Sequence, residues 1–276
     1  MATILFWNIN KKPLIEDIVY LCHTNEVDIL ILAESEIAEV ELLEALNSNI
    51  ERIYLSPYNP SSRLFFFFRY PPESISLVSD EEGVAIRRIN PPIGADILLV
   101  ALHLSSKMYM TEDDQKFQAA RVAQLIQEAE SRVGHMKTLV IGDFNMNPFE
   151  VGLVGADCFH AVMDKNIAKK RSRKVQKQRR FYFYNPMWGL MGDSSPVPSG
   201  TYYYPNSRYV NYFWNTFDQV LLRPDLLDAF SKENLAVISK IGGKDLIVNQ
   251  KISSTSSDHL PIMISLSIEG MIDNGY

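Results

Sequence analysis

Six apolar runs of this sequence end in, or are interrupted by, side chains that can bind a metal ion or transfer a proton. Carboxylate oxygens suit a hard cation such as Mg²⁺ or Mn²⁺, and imidazole exchanges a proton readily near neutral pH. The residues are Asn8 in "ILFWNIN", Glu34 in "ILILAESE", His103 in "LLVALHLSS", Asp143 and Asn145 in "LVIGDFN", Asp218 in "NTFDQVLL", and Asp258 and His259 in "SSDHLPI".

Each of these positions has an ordinary structural explanation when it is taken alone. Gly, Asp and Asn form turns that end strands, and a histidine beside a core strand is usually just hydrogen-bonded. The set as a whole is harder to explain in this way, because every buried carboxylate or imidazole needs a partner or a metal ion. The pattern therefore indicates one convergent polar site.

The apolar runs predict the strands that would position these side chains. Several runs are apolar on both faces, which is typical of strands covered by other layers. Between them lie helical patterns near residues 14–25, 36–48 and 112–132. We predict a single domain of mixed α/β type over residues 1–276, with strands near 3–9, 27–33, 63–70, 74–79, 84–89, 96–104, 137–142, 217–223 and 260–268.

The helix near 112–132 has the clearest signals. Thr111 is followed by Asp114 three residues later, which is a capping-box pattern, and acidic residues fill the first turn. Its apolar stripe is predicted to consist of Phe117, Ala120, Leu125 and Ala129.

Composition places the chain among ordinary globular proteins. It has 276 residues, 46% hydrophobic and 22% charged. The only cysteines, Cys22 and Cys158, form no CxxC motif, which favours buried free thiols in a reducing compartment. The start lacks the pattern of a signal peptide, and no apolar run approaches membrane-spanning length. We expect a cytoplasmic protein that does not insert into membranes.

The charge is unevenly distributed. The formal net charge is −6, yet nine of the 27 basic residues, and none of the 33 acidic ones, fall in "KNIAKKRSRKVQKQRR", residues 165–180. Residues 181–216 are dense in aromatic residues, Pro, Gly and Ser, and predict a long ordered loop region, since linkers are poor in aromatic residues. The basic run is either a solvated or disordered charge run or a clamp for a phosphate backbone.

The ordered set of Asn8, Glu34, His103, "GDFN", Asp218 and "SDHLPI" resembles the endonuclease/exonuclease/phosphatase superfamily. That family includes DNase I, abasic-site endonucleases, sphingomyelinases and inositol-polyphosphate 5-phosphatases. The match runs from Asn8 to Pro261, and "GDFN" and "SDHLPI" are its most specific pieces. The resemblance implies a four-layer α/β/β/α sandwich of the DNase I type, with two packed mixed β-sheets, and metal-assisted hydrolysis of a phosphoester.

The resemblance also implies roles for the residues. Glu34 is the expected ligand of Mg²⁺, with Mn²⁺ as a possible substitute, supported by Asn8 and Asp258. Asp218 and His259 are expected to form a dyad. Asp143 would orient or deprotonate the attacking water, Asn145 would donate to the phosphate, and His103 would stabilise the developing charge. Within the family the base is either Asp143 or His259, and both stay open here.

The substrate is less sharply indicated. Basic and aromatic residues lie together in segment 165–216, where relatives carry recognition loops, and this favours a nucleic acid. The alternatives are a phosphatase or phosphodiesterase acting on an inositol-phosphate or phospholipid headgroup, and a catalytically silent binding module. The aromatic residues at 181–184 and Trp188 either belong to the core or stack on bases. The sequence indicates no protein partner, and the predicted substrate contacts are Lys169, Lys170, Arg171, Arg173 and Lys174.

Overall fold

The computed structural model describes residues 1–48, 53–57, 63–108, 110–192, 198–207 and 209–271. The helices are α1 (Ile15–Thr24), α2 (Glu39–Leu46), α3 (Glu112–Val133), α4 (Val151–Val154) and α5 (Lys165–Lys169). The strands are β1 (Ala2–Asn8), β2 (Ile29–Ala33), β3 (Leu64–Phe68), β4 (Ile75–Glu81), β5 (Val84–Ile89), β6 (Ile97–His103), β7 (Thr138–Asp143), β8 (Ala161–Val162), β9 (Ser172–Val175), β10 (Gln178–Phe181), β11 (Phe183–Tyr184), β12 (Tyr202–Tyr204), β13 (Phe213–Asn215), β14 (Asp218–Leu222), β15 (Leu235–Val237), β16 (Lys240–Ile241), β17 (Lys244–Asp245), β18 (Ile247–Val248), β19 (Lys251–Ile252) and β20 (Ile262–Leu266).

The long apolar strands form two mixed sheets. One has five strands in the order β15-β20-β1-β2-β3, and the other has seven in the order β4-β5-β6-β7-β14-β11-β8. In the first sheet β1 is parallel to β2 and antiparallel to β20. In the second, β7 is parallel to β6 and antiparallel to β14. The nine strands predicted from the sequence are confirmed, with their ends moved by a few residues.

Buried apolar side chains define four layers. One cluster joins α1 and α2 to the five-stranded sheet and continues into the inner face of the seven-stranded sheet. A second cluster lies between the outer face of that sheet and α3. Because successive side chains of a strand point to opposite faces, Leu139 and Ile141 of β7 belong to the first cluster and Val140 to the second. The α/β/β/α sandwich expected from the resemblance is confirmed.

Helix α3 begins as predicted, but its apolar stripe was predicted only in part, since Ala129 is buried and Phe117 is not. The capping box is present, because Thr111 Oγ1 accepts from the backbone N–H of Asp114 and the Asp114 carboxylate accepts from that of Thr111. Phe117, however, is 74% exposed. A helix face repeats at intervals of three or four residues, and the correct stripe contains Ala119, Val122, Ile126 and Ala129.

Segment 165–216 contains more regular structure than the loop predicted for its second half. It includes α5, the two-stranded hairpin of β9 and β10, the hairpin of β12 and β13, and β11, which joins the seven-stranded sheet. Phe183 and Tyr184 of β11 are buried, so these two aromatic residues belong to the core. Residues 193–197 and 208 of this segment lie outside the described ranges. No helix within the described ranges is long and apolar enough to cross a bilayer.

Candidate active site

The five-stranded sheet places an amide beside a carboxylate. Strands β1 and β2 are parallel, and Asn8 pairs with Ala33, the last residue of β2. Glu34 follows directly with a left-handed backbone (φ 50°), a conformation that is costly for a residue with a side chain and that recurs at functional sites. Asn8 Nδ2 donates to Glu34 Oε1 over 3.2 Å.

The seven-stranded sheet brings three more polar residues to one end. His103 of β6 pairs with Asp143 of β7, and Asp143 pairs with Asp218 of β14. Gly142 permits this close pairing, because a Cβ at this position would lie 2.1 Å from the carbonyl oxygen of Leu102. These side chains therefore leave three adjacent strands at the same level.

The ends of the two sheets meet through hydrogen bonds. Asn8 Nδ2 also donates to Asp143 Oδ2 over 3.1 Å, and His103 Nε2 lies 3.2 Å from Glu34 Oε1. The Asn8 amide thus lies between a carboxylate of its own sheet and one of the opposite sheet. We call Asn8, Glu34, His103, Asp143, Asp218 and His259 the polar cluster.

His259 enters the polar cluster from the loop before β20. Its Nδ1 lies 2.8 Å from Asp218 Oδ2, and its Nε2 lies 3.8 Å from Asp143 Oδ2. Ser257 holds the loop in place, since its hydroxyl donates to the carbonyl oxygen of Asn8 and accepts from the backbone N–H of His259. The imidazole is therefore fixed at one nitrogen and turned towards Asp143 at the other.

Burial and charge shift the ionisation of this site. Burial by itself would lower the pKa of His259, but the negative charges of Asp218 and Asp143 raise it to about 10. Burial raises the pKa of the Asp143 carboxyl, with Asp218 adding to the effect and His259 opposing it. The hydrogen bond from His103, with a smaller one from Asn8, lowers the pKa of Glu34 to about 2 against the effect of burial. Glu34 is therefore ionised at neutral pH.

The donor atoms suit a divalent cation. Within the described ranges, ligand atoms of Asp143, Asp218 and His259 lie within 4.8 Å of one another, and the ionised Glu34 is bridged to this group through Asn8. The site is rich in carboxylate oxygen, which hard cations prefer. One oxygen of the fully buried Asp218, Oδ1, has no hydrogen-bond partner among the described residues, so it is an acceptor that a bound cation would satisfy.

Asn145 and Asp258 lie at the border of the polar cluster. The backbone N–H of Asn145 donates to Asp143 Oδ1 over 2.9 Å, and its side-chain amide donates to Leu104 O and Asp143 Oδ2. Asn145 thus orients the Asp143 carboxylate from a left-handed backbone (φ 51°). Asp258 Oδ1 accepts from the Ser257 hydroxyl over 3.5 Å, and its charge is felt by His259.

Two residues near His259, Thr201 and Tyr202, were not among the predicted catalytic residues. The ring of Tyr202 lies 4.7 Å from that of His259, because Tyr202 forms an isolated bridge with it. Burial, together with the charge of Asp258, raises the pKa of Tyr202 to about 12. Thr201 Oγ1 accepts from the backbone N–H groups of Phe217 and Asp218. The "GTYYY" run, residues 200–204, was the signal that Thr201 lies near the site, and it is equally typical of an ordinary strand.

The five predicted substrate contacts do not join the polar cluster. Tyr184 of β11 pairs with Leu222, at the end of β14 opposite to Asp218. The hairpin of β9 and β10, which precedes β11 directly, therefore lies towards that opposite end. Lys169 pairs with Asp228, Arg171 pairs with Asp225, and Arg173 Nε donates to His160 Nε2.

Nearly the whole chain matches the model of one protein family. Residues 5–259 match the model of the Endonuclease/Exonuclease/phosphatase family. The chain belongs to this family. A search of curated proteins found no match.

Solved structures with a similar fold include an endonuclease, a phosphatase and TDP2. An AP endonuclease from Archaeoglobus fulgidus is 15% identical, with 97% of this chain and 100% of that chain covered and a TM-score of 0.55. The 3' phosphatase NExo from Neisseria, bound to a product DNA hairpin, is 14% identical, with 96% and 99% covered and a TM-score of 0.54. Truncated TDP2 from Caenorhabditis elegans is 15% identical, with 95% and 96% covered and a TM-score of 0.55. At these identities the likeness establishes the fold of this family member and its mixed sheets.

Proposed function

We propose that this protein is a divalent-metal-dependent phosphodiesterase that hydrolyses the backbone of DNA or RNA. The observation that carries the proposal is the convergence of Glu34, Asp143 and His259 from strands and a loop of both sheets. We further propose that residues 1–276 form one catalytic domain, in which segment 165–216 is an insertion that recognises substrate.

Glu34 would hold the metal ion, with Asn8 and Asp258 contributing directly or through water. Mg²⁺ is the expected ion, because it prefers one or two carboxylates and keeps several of its waters. When bound, such an ion polarises a phosphoryl oxygen and stabilises the leaving group. Glu34 suits this role because it is ionised at neutral pH.

The residues opposite Glu34 would position water and phosphate. Asp218 fixes the orientation of the His259 ring through Nδ1, which leaves Nε2 facing the 3.8 Å gap to Asp143 Oδ2. A water molecule beside this gap can contact both groups, so we assign its orientation and activation to the pair of Asp143 and His259. Asn145 would keep the Asp143 carboxylate in place, and His103 would face the developing charge of the phosphate.

Two features favour a nucleic acid over an inositol-phosphate or phospholipid headgroup. The AP endonuclease and the DNA-bound 3' phosphatase share this fold over nearly their whole length. In addition, nine of the 27 basic residues lie in one run, 165–180, and a run of cations suits a repeating phosphate backbone better than a single phosphate. The headgroup esters serve as the alternative substrates in the test.

The test is a hydrolysis panel with single-stranded DNA, duplex DNA, RNA and inositol phosphates, each with Mg²⁺, Mn²⁺ or EDTA. We expect cleavage of at least one nucleic acid, loss of cleavage in EDTA, and loss in Glu34→Gln. Glu36→Gln is the matched control, because Glu36 is an exposed acid two residues away that pairs with Lys11. Cleavage that persists in Glu34→Gln, or cleavage of inositol phosphates alone, would contradict the proposal.

A further inference from the structure

The hairpin of β9 and β10 contains like charges that face each other. Arg179 is directly opposite Lys174, and Arg180 is directly opposite Arg173. Like charges in such positions destabilise a strand pair, and a two-stranded hairpin has little stability to spare. Both turn residues, Gln176 and Lys177, also have left-handed backbones without being glycine or asparagine. The hairpin is therefore costly as a purely structural element.

The two pairs of like charges differ in their surroundings. On the face turned to the body of the protein, Arg173 donates to His160 and Arg180 pairs with Asp157. On the other face, Lys174 and Arg179 have no carboxylate partner among the described residues. Side chains alternate between faces along a strand, so Lys174 and Arg179 point outward together. An external anion at this face would offset their repulsion.

A cavity of about 460 Å³ lies beside this hairpin, at the edge strand β8. Its walls include His160, Met163, Ile167, Arg173, Tyr182 and Trp188, and we call it the edge pocket. Met163 and Ile167 are exposed at its rim. The indole Nε1 of Trp188 is buried, with no hydrogen-bond partner among the described residues. The volume and the apolar lining with a few polar groups suit a flat ring system.

Arginines surround His160, which forms one wall of the edge pocket, and Asp164 also lines the pocket. His160 Nδ1 lies 3.1 Å from the carbonyl oxygen of Phe181, and its Nε2 accepts from Arg173 Nε, an arrangement that requires a neutral ring. Burial first, and then the charges of Arg173, Arg223 and Arg180, lower the pKa of His160. The rings of His160 and Tyr182 lie 4.4 Å apart. An aromatic wall with guanidinium groups around it suits a base linked to phosphates.

Aromatic residues connect the edge pocket with the polar cluster. Phe217 precedes Asp218, and the Lys107 ammonium lies 5.4 Å from the Phe217 ring. Lys107 also pairs with Glu150, beside Phe149. The Phe149 ring contacts the rings of Tyr212 and Trp188 at 5.3 and 6.4 Å, and Trp188 lines the pocket.

The spacing of residues and strands in the sheet gives the distance between the polar cluster and the edge pocket. Leu222 is four residues beyond Asp218 on β14, about 13 Å at roughly 3.3 Å per residue, and β8 lies two strands away, about 10 Å. The direct separation is thus about 16 Å, or roughly five nucleotides if the strand keeps the stacked spacing of about 3.4 Å each.

We propose that the edge pocket binds an unpaired base of single-stranded nucleic acid, whose phosphates continue onto Lys174 and Arg179 while the strand extends to the polar cluster. The proposal rests on the proposed nuclease function and names its substrate form. Single strands are favoured, because a paired base must first be unpaired and unstacked before it can enter the cavity.

The test measures binding of fluorescein-labelled oligothymidylates, three to twelve nucleotides long, by anisotropy in EDTA, so that no cleavage occurs. For the wild type we expect a rise in affinity of about tenfold or more once the strand exceeds about five nucleotides, and weaker binding of a duplex. In Lys174→Gln/Arg179→Gln, the slope of log K against log salt should fall by about 1.4, at roughly 0.7 per phosphate contact. Met163→Glu at the pocket rim should remove the rise with length.

The matched control is Lys232→Gln/Lys240→Gln, which removes two exposed lysines beside the other sheet and should bind as the wild type does. Equal binding of single strand and duplex, or binding by polyglutamate with the same dependence on Lys174 and Arg179, would overturn the proposal. Cleavage of bis(p-nitrophenyl) phosphate in Mg²⁺ separates the two proposals. If the protein cleaves this ester but the variants bind oligothymidylate as the wild type does, only the edge-pocket proposal is refuted. If binding of oligothymidylate depends on length but no phosphoester is cleaved, only the nuclease function is refuted.

Discussion

Two buried histidines of this protein lie in opposite electrostatic surroundings. His259 lies between the carboxylates of Asp218 and Asp143, whose charges raise its pKa to about 10 despite burial. His160 is also buried, but arginines surround it, and burial together with their charge lowers its pKa. The carboxylates of the first region suit a cation, and the arginines of the second suit an anion. A net charge of −6 conceals this division.

The two regions also differ in how they are held. The polar cluster stands on the long strands β1, β2, β6, β7 and β14, whose apolar side chains are buried on both faces. The edge pocket is built from β8, α5 and the exposed hairpin of β9 and β10. We therefore expect substitutions in the polar cluster to affect chemistry, and those at the edge to affect binding and local stability.

The largest effect should come from removing the His259 imidazole. His259→Asn should reduce kcat by about 10³-fold, because acid–base groups contribute roughly 10²–10⁴-fold. The measurement is the rate of oligonucleotide cleavage in Mg²⁺, with thermal unfolding as a check on folding. The corresponding edge variant, His160→Asn, should leave cleavage of a trinucleotide within about threefold. Equal losses of cleavage rate in the two variants would contradict the assignment of catalysis to the polar cluster and of binding to the edge pocket.

Asp218→Asn should have the second-largest effect, a loss of kcat of about 10²-fold or more. The amide would hold the imidazole in the wrong tautomer, as in other pairs of histidine and aspartate. Asp225→Asn is the control at the edge, since Asp225 pairs with Arg171, and it should keep kcat. Wild-type turnover in Asp218→Asn would exclude a role of this carboxylate in orienting His259.

Breaking the buried ion pair between Arg223 and Glu130, just beyond the end of β14, should lower the stability of the protein. Arg223 donates to both carboxylate oxygens of Glu130, and both charged groups are buried. The guanidinium carbon of Arg223 lies 3.8 Å from the centroid of the Phe183 ring. Arg223→Leu should lower the free energy of unfolding by about 3–5 kcal/mol, because it leaves Glu130 buried and unpaired.

Urea unfolding measures this change, and the double variant Arg223→Leu/Glu130→Gln should recover part of the loss. A single variant as stable as the wild type would contradict the buried ion pair. Oligonucleotide cleavage by the folded fraction should be unaffected.

The smallest effect is a pH dependence of stability through His160. Its pKa is lower in the folded protein, so below about pH 6.5 the unfolded chain binds a proton that the folded protein does not. Stability should therefore fall as the pH drops from about 6.5 towards the folded pKa, with a slope of at most about 1.4 kcal/mol per pH unit. Urea unfolding of wild type and His160→Gln at pH 5 to 8 isolates this contribution. A difference between the two proteins that does not vary with pH would refute it.

Much of the site was predictable because it follows strand ends. Apolar runs indicate where strands begin and end: Glu34 and Asp143 stand where strands end, and His259 stands just before the last strand begins, in the order that the family resemblance requires. The four layers and the long strands follow from the same runs.

Other features depend on pairing that no local pattern encodes. The basic run was predicted to contact substrate without a position in the fold, and the register of Tyr184 with Leu222 places its hairpin towards the end of the sheet opposite to Asp218. Strand β11 has only two residues, too few for a periodic signal. Phe117 was misassigned to the core because helix rotation relative to the sheet is set by packing, whereas hydrophobicity alone suggested burial.

The most direct test of the account is a titration of the metal-free protein with Mn²⁺, followed by electron paramagnetic resonance. The account predicts that the wild type binds Mn²⁺ at the polar cluster and that Glu34→Gln loses this binding together with nucleic-acid cleavage, whereas Glu36→Gln keeps both. Mn²⁺ binding of equal affinity in wild type and Glu34→Gln, or none in an active wild type, would contradict it.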